Sequence, residues 1–181
     1  MESLQGRFAE LLEITNGIVL AAEVLGAKIT DRTAEMVALP KDAKGNASPK
    51  EAKRIVTKAA ADLDQYTAQI EAALLLYGDA MNPWMDSFSK DATTTVDFDH
   101  DPSAVRQGLD AVIMIRNTLA TSRQSTVETR ETIASLPRMT ATLNKAKRGT
   151  IAAIDRLHAV FARIDTLVSV TEKNIRALSD E

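Results

Sequence analysis

The 181-residue sequence contains no cysteine, and this absence removes several classes of chemistry at once. Disulfides, iron–sulfur clusters, thiolate zinc sites and cysteine nucleophiles all require a thiol. Aromatic residues make up only 4% of the chain, whereas small and aliphatic residues are abundant. This composition favours interdigitated aliphatic helices over a β-sandwich, whose strands rely on aromatic and β-branched residues.

Long hydrophobic runs are also missing. The longest apolar stretches, residues 17–22 and 72–77, are far shorter than the roughly 20 residues that cross a bilayer. The N-terminus lacks the basic segment followed by an apolar run that is typical of a signal peptide. We therefore expect neither a transmembrane segment nor a signal peptide, and we expect a cytoplasmic protein.

What the chain does contain is helical periodicity. Apolar residues recur at alternating intervals of three and four over four long segments, which is the period of an amphipathic helix. The clearest series runs from Met139 to Leu178. Prolines and polar stretches separate the segments, so the pattern predicts helices at residues 3–39, 49–88, 102–136 and 138–179. Pro83 lies inside the second helix and predicts a kink there.

The third helix is the least regular of the four, because its middle is polar. We assign its apolar seam to Val105, Leu109, Val112, Ile113, Leu119, Val127, Ile133 and Leu136. Alternating spacings of three and four favour coiled-coil-like packing at small crossing angles. The sequence therefore predicts an all-α fold over residues 1–181: a single antiparallel, up-down-up-down bundle of four long helices.

No catalytic, cofactor or metal motif stands out. A ferritin-like di-metal bundle needs two Glu-x-x-His motifs, whereas this chain has a single Asp-x-x-His, at Asp155 and His158. The acidic residues Asp97, Asp99 and Asp101 begin like a calcium loop but lack its glycine and its last glutamate. The nucleophile elbow and the phosphate-binding glycine loop are both missing. We expect no enzyme activity, no cofactor and no bound metal.

Basic residues cluster where the second and fourth helices begin. If both helices start at the same end of the bundle, seven side chains form one surface, which we call the basic end: Lys50, Lys53, Arg54, Lys58, Lys145, Lys147 and Arg148. Cations near helix N-termini oppose the helix dipole, so their presence there indicates a role in binding rather than in folding. The alternative is a solvated mosaic of charges without a function.

A second feature is an arginine stripe in the third helix. Arg116, Arg123 and Arg130 recur every seven residues and therefore share one face. In one interpretation they flank the apolar seam and pair with acidic residues of neighbouring helices. The acidic residues considered for this pairing are Glu71, Asp64, Glu23 and Asp165. In the other interpretation the guanidinium groups hold a small anion.

These features favour a non-enzymatic interaction or adaptor module that binds another macromolecule, above all a protein, through the basic end. One alternative is a membrane-acting bundle that docks on anionic lipid, although the acidic first helix argues against it. Another is a bundle that senses a small anion through the arginine stripe. Sequence-specific nucleic-acid binding is disfavoured because no reading motif accompanies the basic residues. Assembly into a homo-oligomer stays open.

Overall fold

Four long helices form almost all of the chain that the computed structural model describes, which is residues 4–41, 46, 48–90, 102–136 and 140–179. The helices are α1 (Leu4–Val37), α2 (Pro49–Lys90), α3 (Pro102–Ser135) and α4 (Ala141–Ser179). The described ranges contain no β-strand, and each observed helix end lies within one turn of its predicted position. The all-α prediction is confirmed. The acidic residues Asp97, Asp99 and Asp101 lie outside the described residues.

Helix ends differ from the prediction where a local cap decides them. α4 begins at Ala141 rather than at residue 138, because Thr140 caps it. The Thr140 hydroxyl accepts the backbone N–H of Leu143 at 3.2 Å, and its carbonyl accepts that of Asn144 at 2.9 Å. Such a cap satisfies N–H groups that have no partner inside the helix. α2 continues through Pro83 and ends at Lys90.

The helices alternate in direction along the chain, as predicted. α1 and α2 form one antiparallel hairpin, and α3 and α4 form another. The hydrogen bonds and ion pairs between them give these directions: Thr15 with Tyr77 and Lys28 with Gln65 in the first hairpin, and Arg116 with Glu172 and Arg130 with Asp155 in the second.

The order of the helices around the bundle departs from the simplest antiparallel arrangement. α1 contacts α2 and α3, and α4 contacts α2 and α3, so α2 and α3 lie at diagonal corners. Two of the four neighbouring pairs, α2–α4 and α1–α3, are therefore parallel. In α2–α4 the Thr150 hydroxyl lies 3.4 Å from the carbonyl of Leu63, and further along both helices Arg156 pairs with Glu71. The two hairpins lie side by side, joined across the diagonal by the connection from α2 to α3.

The core follows the seams of α1 and α4 as the spacing predicts. The α1 seam from Phe8 to Ile29 and the α4 seam from Leu143 to Ile175 are buried. Near the middle, the rings of Tyr77 and Phe161 meet edge to face with their centroids 6.1 Å apart, a favoured aromatic geometry. Burial raises the pKa of Tyr77 to about 12, so its hydroxyl is neutral in the core.

The predicted seam of α3 is wrong in its middle. Ile113 is 50% exposed, whereas Ser122, Thr126 and Thr129 are buried and continue the series from Leu119 in steps of three and four. The hydrophobic pattern missed these positions because it counts serine and threonine as polar. A threonine in a helix can nevertheless be buried without another partner, since its hydroxyl can donate to the carbonyl four residues earlier. Thr126 does this at 2.8 Å from the carbonyl oxygen of Ser122.

Candidate functional site

The basic residues that the sequence singled out do lie at one end of the bundle. α2 and α4 are parallel neighbours and therefore begin at the same end. Six of the seven side chains are exposed, and Lys147 is half-buried. The exposed members are Lys50, Lys53, Arg54, Lys58, Lys145 and Arg148.

Two residues of the basic end have partners inside the protein. A guanidinium nitrogen of Arg54 lies 3.8 Å from a carboxylate oxygen of Glu35 on α1. The Nζ atom of Lys147 donates to the carbonyl oxygens of Ala134, at 2.6 Å, and Leu136, at 2.7 Å. A cation at this position satisfies the last carbonyls of α3 and complements the negative end of its dipole. Lys147 therefore has a structural role.

The other five basic residues have no ion pair and no side-chain hydrogen bond within the described part of the chain: Lys50, Lys53, Lys58, Lys145 and Arg148. Glu51 is the acidic residue in the first turn of α2, and the first turn of α4 has none. Because the N-terminus of each helix carries about half a positive charge, the dipoles of α2 and α4 add to the field of these side chains. The edge of this end that α2 and α4 form thus carries five cations without partners among the described residues, in a chain whose net charge is −3.

The arginine stripe lies along the contact between α3 and α4. Arg116 forms an ion pair with Glu172. The Nε atom of Arg130 donates to a carboxylate oxygen of Asp155 at 2.8 Å. Between them, Arg123 has neither an ion pair nor a side-chain hydrogen bond to any described residue. Two of the three arginines are therefore neutralised across the seam.

These partners are not the ones considered from the sequence. Glu71 pairs with Arg156 on the contact between α2 and α4, and no ion pair to a described residue involves Asp64, Glu23 or Asp165. Hydrogen bonding from Arg176, with the positive charge of Arg116, lowers the pKa of Glu172. With only Arg123 left unpaired, the stripe offers little support for an anion pocket.

His158 faces the same seam. Its Nε2 atom lies 2.8 Å from the hydroxyl of Thr126, which already donates to the carbonyl of Ser122, so we assign the proton of this hydrogen bond to the ring nitrogen. The ring centroid lies 6.3 Å from that of Phe161. Burial, followed by the positive charge of Arg123, lowers the pKa of His158. His158 thus joins α4 to α3 as a neutral imidazole at neutral pH.

One feature that the sequence pattern did not indicate is a groove of about 540 Å³ between the last turns of α1 and α3, called here the α1–α3 groove. Its apolar lining comes from Ile29, Ala34, Val37, Ala38 and Leu136, with threonine and serine side chains between them. The small residues on both helices are visible in the sequence. Their meaning depends on α1 and α3 being neighbours, which the connections alone did not predict.

Within the described part of the chain, no three histidine, aspartate or glutamate side chains are grouped so that they could hold a metal ion. No described helix has the length and hydrophobicity needed to cross a membrane.

No protein-family model matches the chain, and none of the curated proteins or solved structures compared with it matches either.

Proposed function

We propose that the protein is a non-enzymatic binding module whose basic end docks on an acidic surface of another protein. The observation that carries this proposal is the group of five exposed cations without internal partners, which parallel neighbouring helices bring together from distant parts of the sequence. Such a surface steers an acidic partner toward it, and the affinity depends on salt.

An acidic protein fits this surface better than a lipid bilayer does. Stable contact with a bilayer combines basic residues with apolar side chains that enter the headgroup region. Among the described residues, Val37 is the exposed large apolar side chain at this end of the bundle. The remaining exposed large apolar residues lie along its middle or toward its other end.

The test is charge reversal at the four cations nearest the starts of α2 and α4, in a variant with Lys50, Lys53, Lys145 and Arg148 each changed to Glu. Arg54 and Lys147 stay unchanged because each has an internal partner. Fluorescence anisotropy with labelled poly-glutamate, over a series of salt concentrations, measures binding. Four exposed charge pairs contribute about 0.2–1 kcal/mol each, so we expect binding at low salt to weaken about fourfold or more.

A variant with Arg163 and Lys173 changed to Glu is the control, because both are exposed cations of α4 away from the basic end. It should bind the probe like the unmodified protein, and circular dichroism should show the same helicity in all variants. Vesicles with and without phosphatidylserine form a second arm. Equal loss of binding in both variants, or binding only to anionic vesicles, would contradict the proposal.

A further inference from the structure

The contact between α1 and α3 differs from the other three contacts of the bundle. Polar side chains cross each of the others: Arg32 with Asp62 between α1 and α2, Arg156 with Glu71 between α2 and α4, and Arg130 with Asp155 between α3 and α4. Over residues 12–37 and 111–136, no ion pair or side-chain hydrogen bond joins α1 to α3. Over these residues apolar packing holds the two helices together, and this part of the contact contains the α1–α3 groove.

The groove has the form of a binding surface for a helix. Its two walls are parallel helices, so it runs along the bundle axis, and its floor includes Ile29 and Leu136. Val37, on its rim, is 76% exposed. A groove lined by apolar and small residues between two helices accepts the apolar face of a third, with anchors spaced at three and four residues.

Within the described turns of α1 and α3 that form or directly precede the groove, the exposed charges are acidic, while Lys41 lies beyond the end of α1. Glu23 lies seven residues before the groove residue Thr30, and Glu128 lies seven before the groove residue Ser135, so each shares the face of its groove residue. Asp31 and Glu131 lie next to the groove residues Thr30 and Thr132. Helix spacing thus places four exposed carboxylates beside the groove or on the turns that precede it: Glu23, Asp31, Glu128 and Glu131.

The basic side chains of Lys28, Arg32 and Arg130, in these parts of α1 and α3, form ion pairs with other helices. Lys28 and Arg32 reach Asp62 on α2, and Arg130 reaches Asp155 on α4. The rim of the groove therefore keeps its negative charge, on the edge of the bundle opposite to that formed by α2 and α4. A ligand that fits both features has apolar anchors on one face and basic residues beside them.

We infer that the α1–α3 groove binds a basic amphipathic helix of another protein. Its apolar face covers Val37 and Ala34, and its lysine or arginine side chains pair with the four carboxylates. This site is separate from the basic end and selects a partner of the opposite charge.

The test uses a synthetic helical peptide of about 20 residues with leucine and alanine along one face and lysine on both flanks. The same peptide with glutamate in place of lysine is the control ligand. Anisotropy measures affinity, and methyl and amide NMR shifts locate the site. We expect the lysine peptide to bind with shifts concentrated at residues 29–38 and 132–136, and the glutamate peptide not to bind there.

Two variants test the two parts of the inference. Glu128→Lys with Glu131→Lys should weaken binding of the lysine peptide about tenfold or more. Ala34→Phe, at an exposed position, should obstruct the groove and weaken binding without unfolding the protein. The matched control is Glu10→Lys with Glu13→Lys, which has the same spacing and charge change at the other end of α1 and should leave the affinity unchanged.

Several outcomes would overturn the inference. Equal weakening by the control pair would mean that the peptide responds only to net charge. Shifts outside the groove, or an affinity that Ala34→Phe does not change, would show that the groove is not the site. Concentration-dependent dimers in light scattering that Ala34→Phe abolishes would assign the groove to a second copy of the chain. Because the probe is basic, none of these results bears on the basic end.

Discussion

Ser122 offers a direct test of how the core of α3 is organised. Its hydroxyl is fully buried and has no hydrogen-bond partner among the residues that the structure describes. A buried hydroxyl without a partner costs about 1–3 kcal/mol relative to one in water. Ala is also a better helix former than Ser, by about 0.5 kcal/mol. Removing the oxygen leaves a void smaller than a methyl group, so Ser122→Ala should stabilise the protein by about 1–3 kcal/mol.

Urea denaturation followed by circular dichroism measures this change. In thermal unfolding of a chain of this length, each kcal/mol of added stability corresponds to a rise in Tm of about 2–4 °C. Asn117→Ala is the control: Asn117 is exposed in the same helix, so this change reports the gain in helix propensity without the buried hydroxyl. If Ser122→Ala destabilises the protein, or gains no more than Asn117→Ala, then the hydroxyl has a partner such as a buried water and the reasoning is refuted.

Two further predictions concern α4. Leu157→Ala or Phe161→Ala should each lower the free energy of unfolding by about 2–5 kcal/mol, because both side chains are buried. Lys173→Ala, at an exposed position, should be nearly neutral. Equal small effects of all three changes in denaturation would mean that the buried face of α4 is wrongly assigned. Because the folded pKa of His158 lies below the ordinary 6.5, its contribution to stability is present above pH 6.5 and is lost as the pH falls through the folded value. His158→Gln should therefore reduce the slope of stability against pH below 6.5. An NMR titration of His158 at or above 6.5 would contradict the assignment.

The seams of α1 and α4 could be predicted because their buried positions are mostly occupied by residues that are apolar by type. Thr15 in α1, and Thr150 and Thr171 in α4, each stand between buried apolar residues, so the period survives. α3 has three hydroxylated residues at successive buried positions, Ser122, Thr126 and Thr129, and Ile113, nine residues before Ser122, is exposed. A threonine whose hydroxyl donates to a carbonyl of its own helix can be buried like an apolar residue, but by residue type it counts as polar.

The arrangement of the helices could be predicted only in part. The connection of five residues between α3 and α4 keeps these two helices side by side, whereas the connections from α1 to α2 and from α2 to α3 are each eleven residues long and allow either neighbouring or diagonal corners. The alternating directions of the helices were enough to predict that the residues of the basic end lie at one end of the bundle. To predict the α1–α3 groove, one must also know which helices are neighbours. To predict the partners of the arginine stripe, one must know the register between α3 and α4.

α2 neighbours α4, and α1 neighbours α3. Because of this arrangement, the end of the bundle that includes the basic end differs in charge from one edge to the other. The unpaired cations lie on the edge formed by α2 and α4, and the carboxylates of the α1–α3 groove lie on the opposite edge. Neighbouring helices are about 8–10 Å apart, and the Debye length at physiological salt is about 8 Å. Charges on opposite edges are therefore only partly screened from each other. An acidic protein on the basic end and a basic helix in the groove would attract each other at low salt, so each would tighten binding of the other by the same factor, and this coupling would disappear as the salt concentration rises.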